Sequence, residues 1–264
     1  MKTGFFQFSP VFGKPQKNLT IIEESIDNSN DIELLVLPEL ALTGYTFEDS
    51  EEAYSLSEEI GDKLTEELIN IARKKDIKMA VGFLEREGKH LYNSSILLGK
   101  DGVIGVYRKV HLFREEKAIF KSGNNGFPIF DIGAAKVGLL VCFDWIFPEA
   151  ARTLALKGAD IILHSANLVM PFYQKAAVTR AIENKLFIIL ANRTGIEERF
   201  GTKNEFTGKS EIVNPEGKVI LEAGKDDEGI FAIDINPEEA RNKNVTELNN
   251  IFEDRKPELY ENWG

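Results

Sequence analysis

Short apolar runs recur along the chain, separated by stretches in which apolar positions return every three or four residues. The runs are Gly4–Phe8, Leu34–Leu37, Met79–Leu84, Ser94–Leu98, Val103–Tyr107, Lys136–Cys142, Ile161–His164, Phe187–Ala191, Glu211–Val213 and Gly229–Ile235. Several are continuous Val, Ile and Leu stretches, as expected of strands covered on both faces. The intervening pattern predicts helices over 15–29, 58–75, 148–157 and 171–185. Alternation of strand and helix points to an α/β protein with layered sheets. Lys100-Asp-Gly102 and Pro215-Glu-Gly-Lys218 are turn signals between strand pairs, so the sheets are expected to be mixed. No internal repeat and no Pro/Ser/Gly-rich linker interrupts the pattern, which reads as one domain over 1–264. Beyond Asn236 the chain turns polar and irregular, with Ile251, Phe252, Tyr260 and Trp263 as its apolar points. That tail, about 236–264, is either frayed or docked on a partner subunit.

Composition narrows the class. The net charge is −11, from 32 Lys and Arg against 43 Asp and Glu, which disfavours nonspecific binding to nucleic acid or an anionic membrane surface. The longest apolar runs, Val137–Phe143 and Leu186–Ala191, are too short to span a bilayer. The N-terminus lacks a signal-peptide apolar region and reads as a first strand. A single cysteine fits a reducing cytoplasm.

That cysteine, Cys142, changes the picture most. Alone it forms neither an internal disulfide nor a Cys-rich zinc site, so it is either a small buried hydrophobe or a nucleophile. It sits in Gly138-Leu-Leu-Val-Cys-Phe-Asp-Trp-Ile-Phe-Pro-Glu149, where a strand breaks into a turn before a helix starting at Pro148 and ending near Gly158. Ligands of open α/β sheets gather outside the carboxyl ends of strands. Glu39, in Leu35-Val-Leu-Pro-Glu-Leu-Ala-Leu-Thr-Gly-Tyr45, also follows a buried strand. It is either an exposed loop residue or a general base whose pKa is raised by Leu37, Leu40 and Leu42. Lys109, in Val106-Tyr-Arg-Lys-Val-His-Leu-Phe113, ends a third strand. If Arg108 faces solvent, Lys109 faces inward and needs an anion, with Glu39 the obvious candidate. Glu115 and Glu116 follow as an ordinary charged segment or as a second site carboxylate. His90, His111 and His164 show no flanking pattern that ties them to a Cys–His dyad or a metal.

Taken in order, the segments around Glu39, Lys109 and Cys142, the last followed by Phe147-Pro-Glu149, resemble the nitrilase superfamily of carbon–nitrogen hydrolases. The likeness runs from Gln7 to Arg255 and extends to Ala191-Asn-Arg-Thr-Gly195, Phe206-Thr-Gly-Lys-Ser210 and Asn214-Pro-Glu-Gly217. It implies a four-layer α-β-β-α sandwich, homodimers or larger homo-oligomers, and a Glu39–Lys109–Cys142 triad. Glu116 matches a second glutamate that positions substrate or water, with Glu115 as the neighbouring alternative. The resemblance implies no metal or organic cofactor. The backbone N–H of Phe143 is the expected second oxyanion donor beside Lys109.

The residues around Cys142 bear on substrate. Nitrile-specialised relatives often carry Cys-Trp-Glu, whereas this chain has Cys142-Phe-Asp-Trp145. That version, with His164-Ser-Ala-Asn-Leu-Val-Met-Pro171 downstream, is similar to a prokaryotic group that includes a thermophilic archaeal nitrilase. Tyr45, Phe120, Trp145, Asn167 and Phe172, with Tyr173, are candidate pocket residues. The leading expectation is an amidase for a small, linear, uncharged amide. A nitrilase for small aliphatic nitriles comes second, and N-carbamoyl hydrolysis or acyl transfer third. A non-catalytic scaffold is the alternative from another class, and the intact triad argues against it.

Overall fold

Along β1 (Lys2–Gln7) successive side chains face opposite ways. In the computed structural model, which describes residues 1–29 and 31–260, Phe5 enters a central apolar layer and Phe6 an outer one. The chain continues through α1 (Pro15–Asp27), β2 (Leu34–Val36), α2 (Ser50–Leu56), α3 (Lys63–Lys75), β3 (Lys78–Glu87), β4 (His90–Gly99) and β5 (Gly102–Arg108), and the alternation recurs in its strands. Leu34, Val36, Ala80 and Leu97 join the central layer. Leu35, Met79, Val81, Ile96 and Leu98 pack outward against Leu19, Ile22 and Ile26 of α1 and Leu64, Leu68 and Ile71 of α3.

The second half repeats the plan. It runs through α4 (Glu116–Ile119), β6 (Ile129–Asp131), β7 (Lys136–Val141), a 3-10 turn (Cys142–Ile146), α5 (Pro148–Leu156), β8 (Ile161–Ala166), α6 (Tyr173–Asn184) and β9 (Phe187–Asn192). A hairpin of β10 (Ile196–Arg199) and β11 (Thr202–Glu205) precedes β12 (Glu211–Val213), β13 (Val219–Glu222) and β14 (Gly229–Asp234). One six-stranded sheet has the order β14-β1-β2-β3-β4-β5, the other β13-β12-β9-β8-β7-β6. Parallel β1–β2–β3 and β7–β8–β9 cores carry antiparallel flanks, so both sheets are mixed, as expected. The sheets face each other across the central layer, with α1 and α3 outside one and α5 and α6 outside the other. This is the α-β-β-α sandwich. Each fully buried Leu, Ile, Val or Phe in it contributes roughly 1.5–3 kcal/mol.

Some boundaries differ from the periodicity. The helix expected over 58–75 begins at Lys63, because Glu58 pairs with the β3 edge through Arg86 N–H at 2.9 Å and Asp62 is extended. The short α2 was not foreseen. Its signal is Asp49, whose carboxylate accepts from the Glu51 and Glu52 N–H groups at 2.9 Å each. At the other end of the chain, a 3-10 turn (Pro237–Arg241) and a hairpin (Asn244–Thr246 with Asn249–Asn250) follow β14. Phe252 lies against its own chain, under Arg152 and Lys243. Trp263 is outside the described residues.

Candidate active site

Cys142 follows the last residue of β7 and opens the 3-10 turn with φ +40°. A left-handed backbone at a non-glycine residue costs about 1–2 kcal/mol, so surrounding contacts must hold it. Asp144 supplies one hold. Its Oδ2 accepts from the Val141 N–H (3.0 Å) and the Tyr107 O–H (2.8 Å), and its Oδ1 sits 2.7 Å from His111 Nδ1. Cys142 is buried at this turn, 6% exposed, within the central apolar layer.

Glu39 lies in the loop after β2. That loop lies directly on β3, with Leu37 N–H and Ala41 N–H donating to the Ala80 and Gly82 carbonyls at 2.8 and 2.9 Å. Contact is so close that a Cβ on Gly82 would sit 2.4 Å from Glu39 Cα and 2.3 Å from the Pro38 oxygen. Gly82→Ala is therefore expected to lift the Glu39 loop and lower kcat by more than tenfold, a scale set by angstrom-level misplacement of reacting groups. Kinetics on Gly82→Ala beside its melting curve check this, and unchanged turnover would show that the loop tolerates the shift.

Lys109 is the first residue past β5. Its neighbour Arg108 turns to the other face and pairs with Glu85 and Glu87. The buried Lys109 Nζ donates to Glu39 Oε1 (2.7 Å) and Glu116 Oε1 (2.8 Å). An ammonium has three N–H donors, and among the described residues only these two are engaged. Glu116, at the start of α4, also accepts from the Tyr45 O–H (2.7 Å) and the Phe113 N–H (3.0 Å). Glu115 is exposed and makes no such contact. Asn93 donates to Glu39 Oε1 at 2.7 Å, and Asn167 Nδ2 to the Glu39 carbonyl at 2.9 Å. Glu39 Oε2 is buried without a hydrogen-bond partner among the described residues.

Burial raises the pKa of Glu39, Lys109 opposes the rise and Glu116 adds to it. Burial works to lower the Lys109 pKa, but Glu116 and Glu39 outweigh it and hold the ammonium above the usual lysine range. For Cys142, burial and the Glu39 charge push the thiol well above its ordinary value, against Lys109 and the Asn167 N–H. The environment thus favours the thiol over the thiolate.

The cleft at Cys142 is lined by Phe113, Phe143, Trp145, Asn167, Leu168, Val169 and Met170. The cleft has a volume of about 270 Å³ and is partly open to solvent. Among the described residues no charged side chain belongs to this lining, and Glu39, Lys109 and Glu116 are not part of it. Wider hollows, such as that between Glu33, Asp76, Lys100 and Val103, contain neither Cys142 nor its neighbouring cluster, so size alone does not mark the site. Four expected pocket residues lie outside this lining: Phe120, Phe172, Tyr45, whose O–H donates to Glu116, and Tyr173, whose hydroxyl meets His164 Nδ1. Phe120 is buried edge-on against Phe47 in a cluster with Leu40, Ala53 and Leu91, and Phe172 is 57% exposed ahead of α6. Both were placed by aromatic character, which does not say which way a ring points. Asn93 was missed. Its signal is a polar residue inside the strand Leu91–Leu98, where an amide needs a buried partner. Among the described residues no cluster of three or more His, Cys, Asp or Glu is arranged to hold a metal, and no helix is long and apolar enough to cross a membrane.

Two facing mixed six-stranded sheets with helices outside them are the architecture of the nitrilase superfamily. The carbon–nitrogen hydrolase family profile matches residues 2–244, and the chain belongs to that family. It is 44% identical to a nitrilase of Pyrococcus abyssi, over 98% of this chain and 99% of that protein. It is 33% identical to the 2-oxoglutaramate amidase of Bacillus subtilis, over 96% and 97%. Among solved structures, an amidase from Nesterenkonia sp. superposes with a TM-score of 0.83 at 27% identity, covering 100% of this chain and 96% of that one. A Glu-to-Gln mutant of that amidase carries the acetamide moiety of fluoroacetamide on its active site cysteine, with the same TM-score, identity and coverage.

Proposed function

We propose that this carbon–nitrogen hydrolase converts a small, uncharged amide to the acid and ammonia through a thioester on Cys142. The observation that carries the reading is Glu39 Oε2, a buried carboxylate oxygen with no partner in the cluster that faces the thiol. Glu39 takes the Sγ proton as sulfur adds to the carbonyl carbon. The oxygen that gains the electron pair is met by the third N–H of Lys109 and by the Phe143 backbone N–H, each such donor lowering the barrier by roughly 3–4 kcal/mol. Collapse breaks the C–N bond while protonated Glu39 gives its proton to the nitrogen. Water then adds to the thioester with Glu39 again as base, and the thiol is released as the acid leaves. Glu116, tied to Lys109 and Tyr45, orients the amide and the water. One carboxylate serves both half-reactions, so no histidine is required.

The apolar, uncharged lining of the cleft supports a short aliphatic acyl group. Mass spectrometry of the intact protein with a panel of short amides tests the reading. The expected result is an added acyl mass on Cys142, and absence of any adduct across a panel that is turned over would overturn it. The Pyrococcus abyssi relative favours a second reading, hydrolysis of a small aliphatic nitrile by the same groups. A matched nitrile and amide decide between them, and comparable or better kcat/KM on the nitrile would reverse the order.

The pH profile follows from the site. Catalysis needs ionised Glu39, and burial raises its pKa, so kcat/KM is expected to fall on the acid side through a limb above the ordinary glutamate range. Glu116 contributes to that rise, so Glu116→Gln should move the limb to lower pH. A limb that stays fixed in Glu116→Gln would assign it to another group.

A further inference from the structure

The mechanism uses the Phe143 N–H, and the other end of that same peptide unit is gripped by a residue with no assigned part. His164, the fourth residue of β8, is fully buried. Its Nε2 lies 3.0 Å from the Cys142 carbonyl oxygen, and its Nδ1 lies 2.6 Å from the Tyr173 hydroxyl. A carbonyl only accepts, so Nε2 carries the proton. Nδ1 of the neutral ring is then the acceptor, and Tyr173 donates. Burial lowers the His164 pKa to about 4 and raises that of Tyr173, in keeping with a neutral ring and an intact phenol.

The peptide between Cys142 and Phe143 is planar and trans, so its C=O and N–H point in opposite directions. Fixing one end aims the other. We infer that His164, locked in one tautomer by Tyr173, is a positioning residue that aims the Phe143 N–H at the developing oxyanion. This rests on the proposed thioester mechanism. The hydrogen bond to the carbonyl also polarises the peptide and strengthens its N–H as a donor. The need is local: Cys142 has φ +40°, and Asp144 holds the chain on the other side, through the Val141 N–H. Asp144 thus pins the residue before the nucleophile, and His164 pins the peptide after it.

The test compares two reactions of the same sulfur in the full-length protein. Hydrolysis of propionamide builds an oxyanion at carbon. Labelling by methyl methanethiolsulfonate transfers a methylthio group to Sγ, expels methanesulfinate and builds no such oxyanion. His164→Leu is expected to lower kcat about 10²-fold, the scale of losing one oxyanion donor. KM and the labelling rate should stay within about threefold, since neither ground-state binding nor the thiol is altered. His164→Gln, which keeps an N–H donor, should recover part of the loss. Tyr173→Phe removes one oxygen, frees the tautomer and should lower kcat about three- to tenfold, part of the loss of a full donor. It carries the test if His164→Leu does not fold. Unchanged kcat in the folded variants, or kcat and labelling falling together, would overturn the inference. Wild-type protein that turns over propionamide without a thioester would overturn the mechanism, and this inference with it. Wild-type protein that acylates normally beside an equally fast His164→Leu would overturn this inference alone.

Discussion

Cys142→Ala is expected to abolish ammonia release and leave no acyl adduct, while the melting temperature stays within a few degrees of wild type. Loss of function should be complete because Cys142 is the one thiol of the chain and, among the described residues, the cleft lining holds no hydroxyl, lysine or histidine to replace it. Removing one member of a cooperating set forfeits nearly all of the set's acceleration. The fold should tolerate the change because one small buried side chain replaces another. The strained backbone at residue 142 is held by Asp144 and His164 through backbone groups, which alanine retains. Glu39→Gln makes an instructive contrast. It keeps the thiol and the hydrogen-bond geometry but removes the base, so turnover should fall about 10²- to 10⁴-fold. A strongly reactive electrophile should still be able to modify Cys142. Thermal melts and ammonia assays on both variants check the set, and residual steady turnover in Cys142→Ala would exclude a thioester at that residue.

Lys109→Met is expected to damage stability as well as catalysis. The variant leaves Glu39 and Glu116 buried and facing each other without the cation that lies 2.7 and 2.8 Å from them. Breaking a buried ion pair by removing one partner typically costs about 3–5 kcal/mol. The carboxylates escape part of that cost by taking up protons, which fixes the sign of the pH effect. With the cation gone, the folded-state pKa of Glu39, already raised by burial, rises further above that of the unfolded chain, so the folded variant binds more protons. Its stability relative to wild type should therefore be best at low pH and fall as pH rises through the raised value. Unfolding curves at pH 5 and pH 8 provide the check. An equal deficit at both would mean that the loss comes from packing around the methionine instead. Activity should be lost in either case, because the third ammonium donor goes with the side chain.

The parts of this site that sequence could reveal are those that break a local rule. Cys142, Glu39 and Lys109 each interrupt an apolar strand with a reactive group at its carboxyl end, so position and chemistry coincide. What sequence concealed are the groups that hold them. Asp144 looks like a turn residue, yet it ties Tyr107, His111 and Val141 into one knot. His164 reads as the end of a strand, and only the packing of α6 shows that Tyr173 reaches its ring. Such pairings join residues from different elements, and no spacing rule encodes them. The same reason explains the strands that ran longer than expected. β3 continues through Glu85 because that carboxylate is matched by Arg108 and Ser94 on neighbouring strands, so a charged residue is buried where the apolar pattern had already stopped.

The distribution of the site between the two sheets bears on when the chain becomes active. Glu39 and Lys109 follow strands of one sheet, and Cys142 follows a strand of the other. Neither sheet alone carries a base and a nucleophile. The first sheet is itself closed at β1 by β14, the last of its strands to be synthesised. A growing polypeptide therefore cannot assemble this chemistry until nearly all of it has emerged and the halves have met. Turnover of the proposed kind is therefore expected only once the two sheets have met.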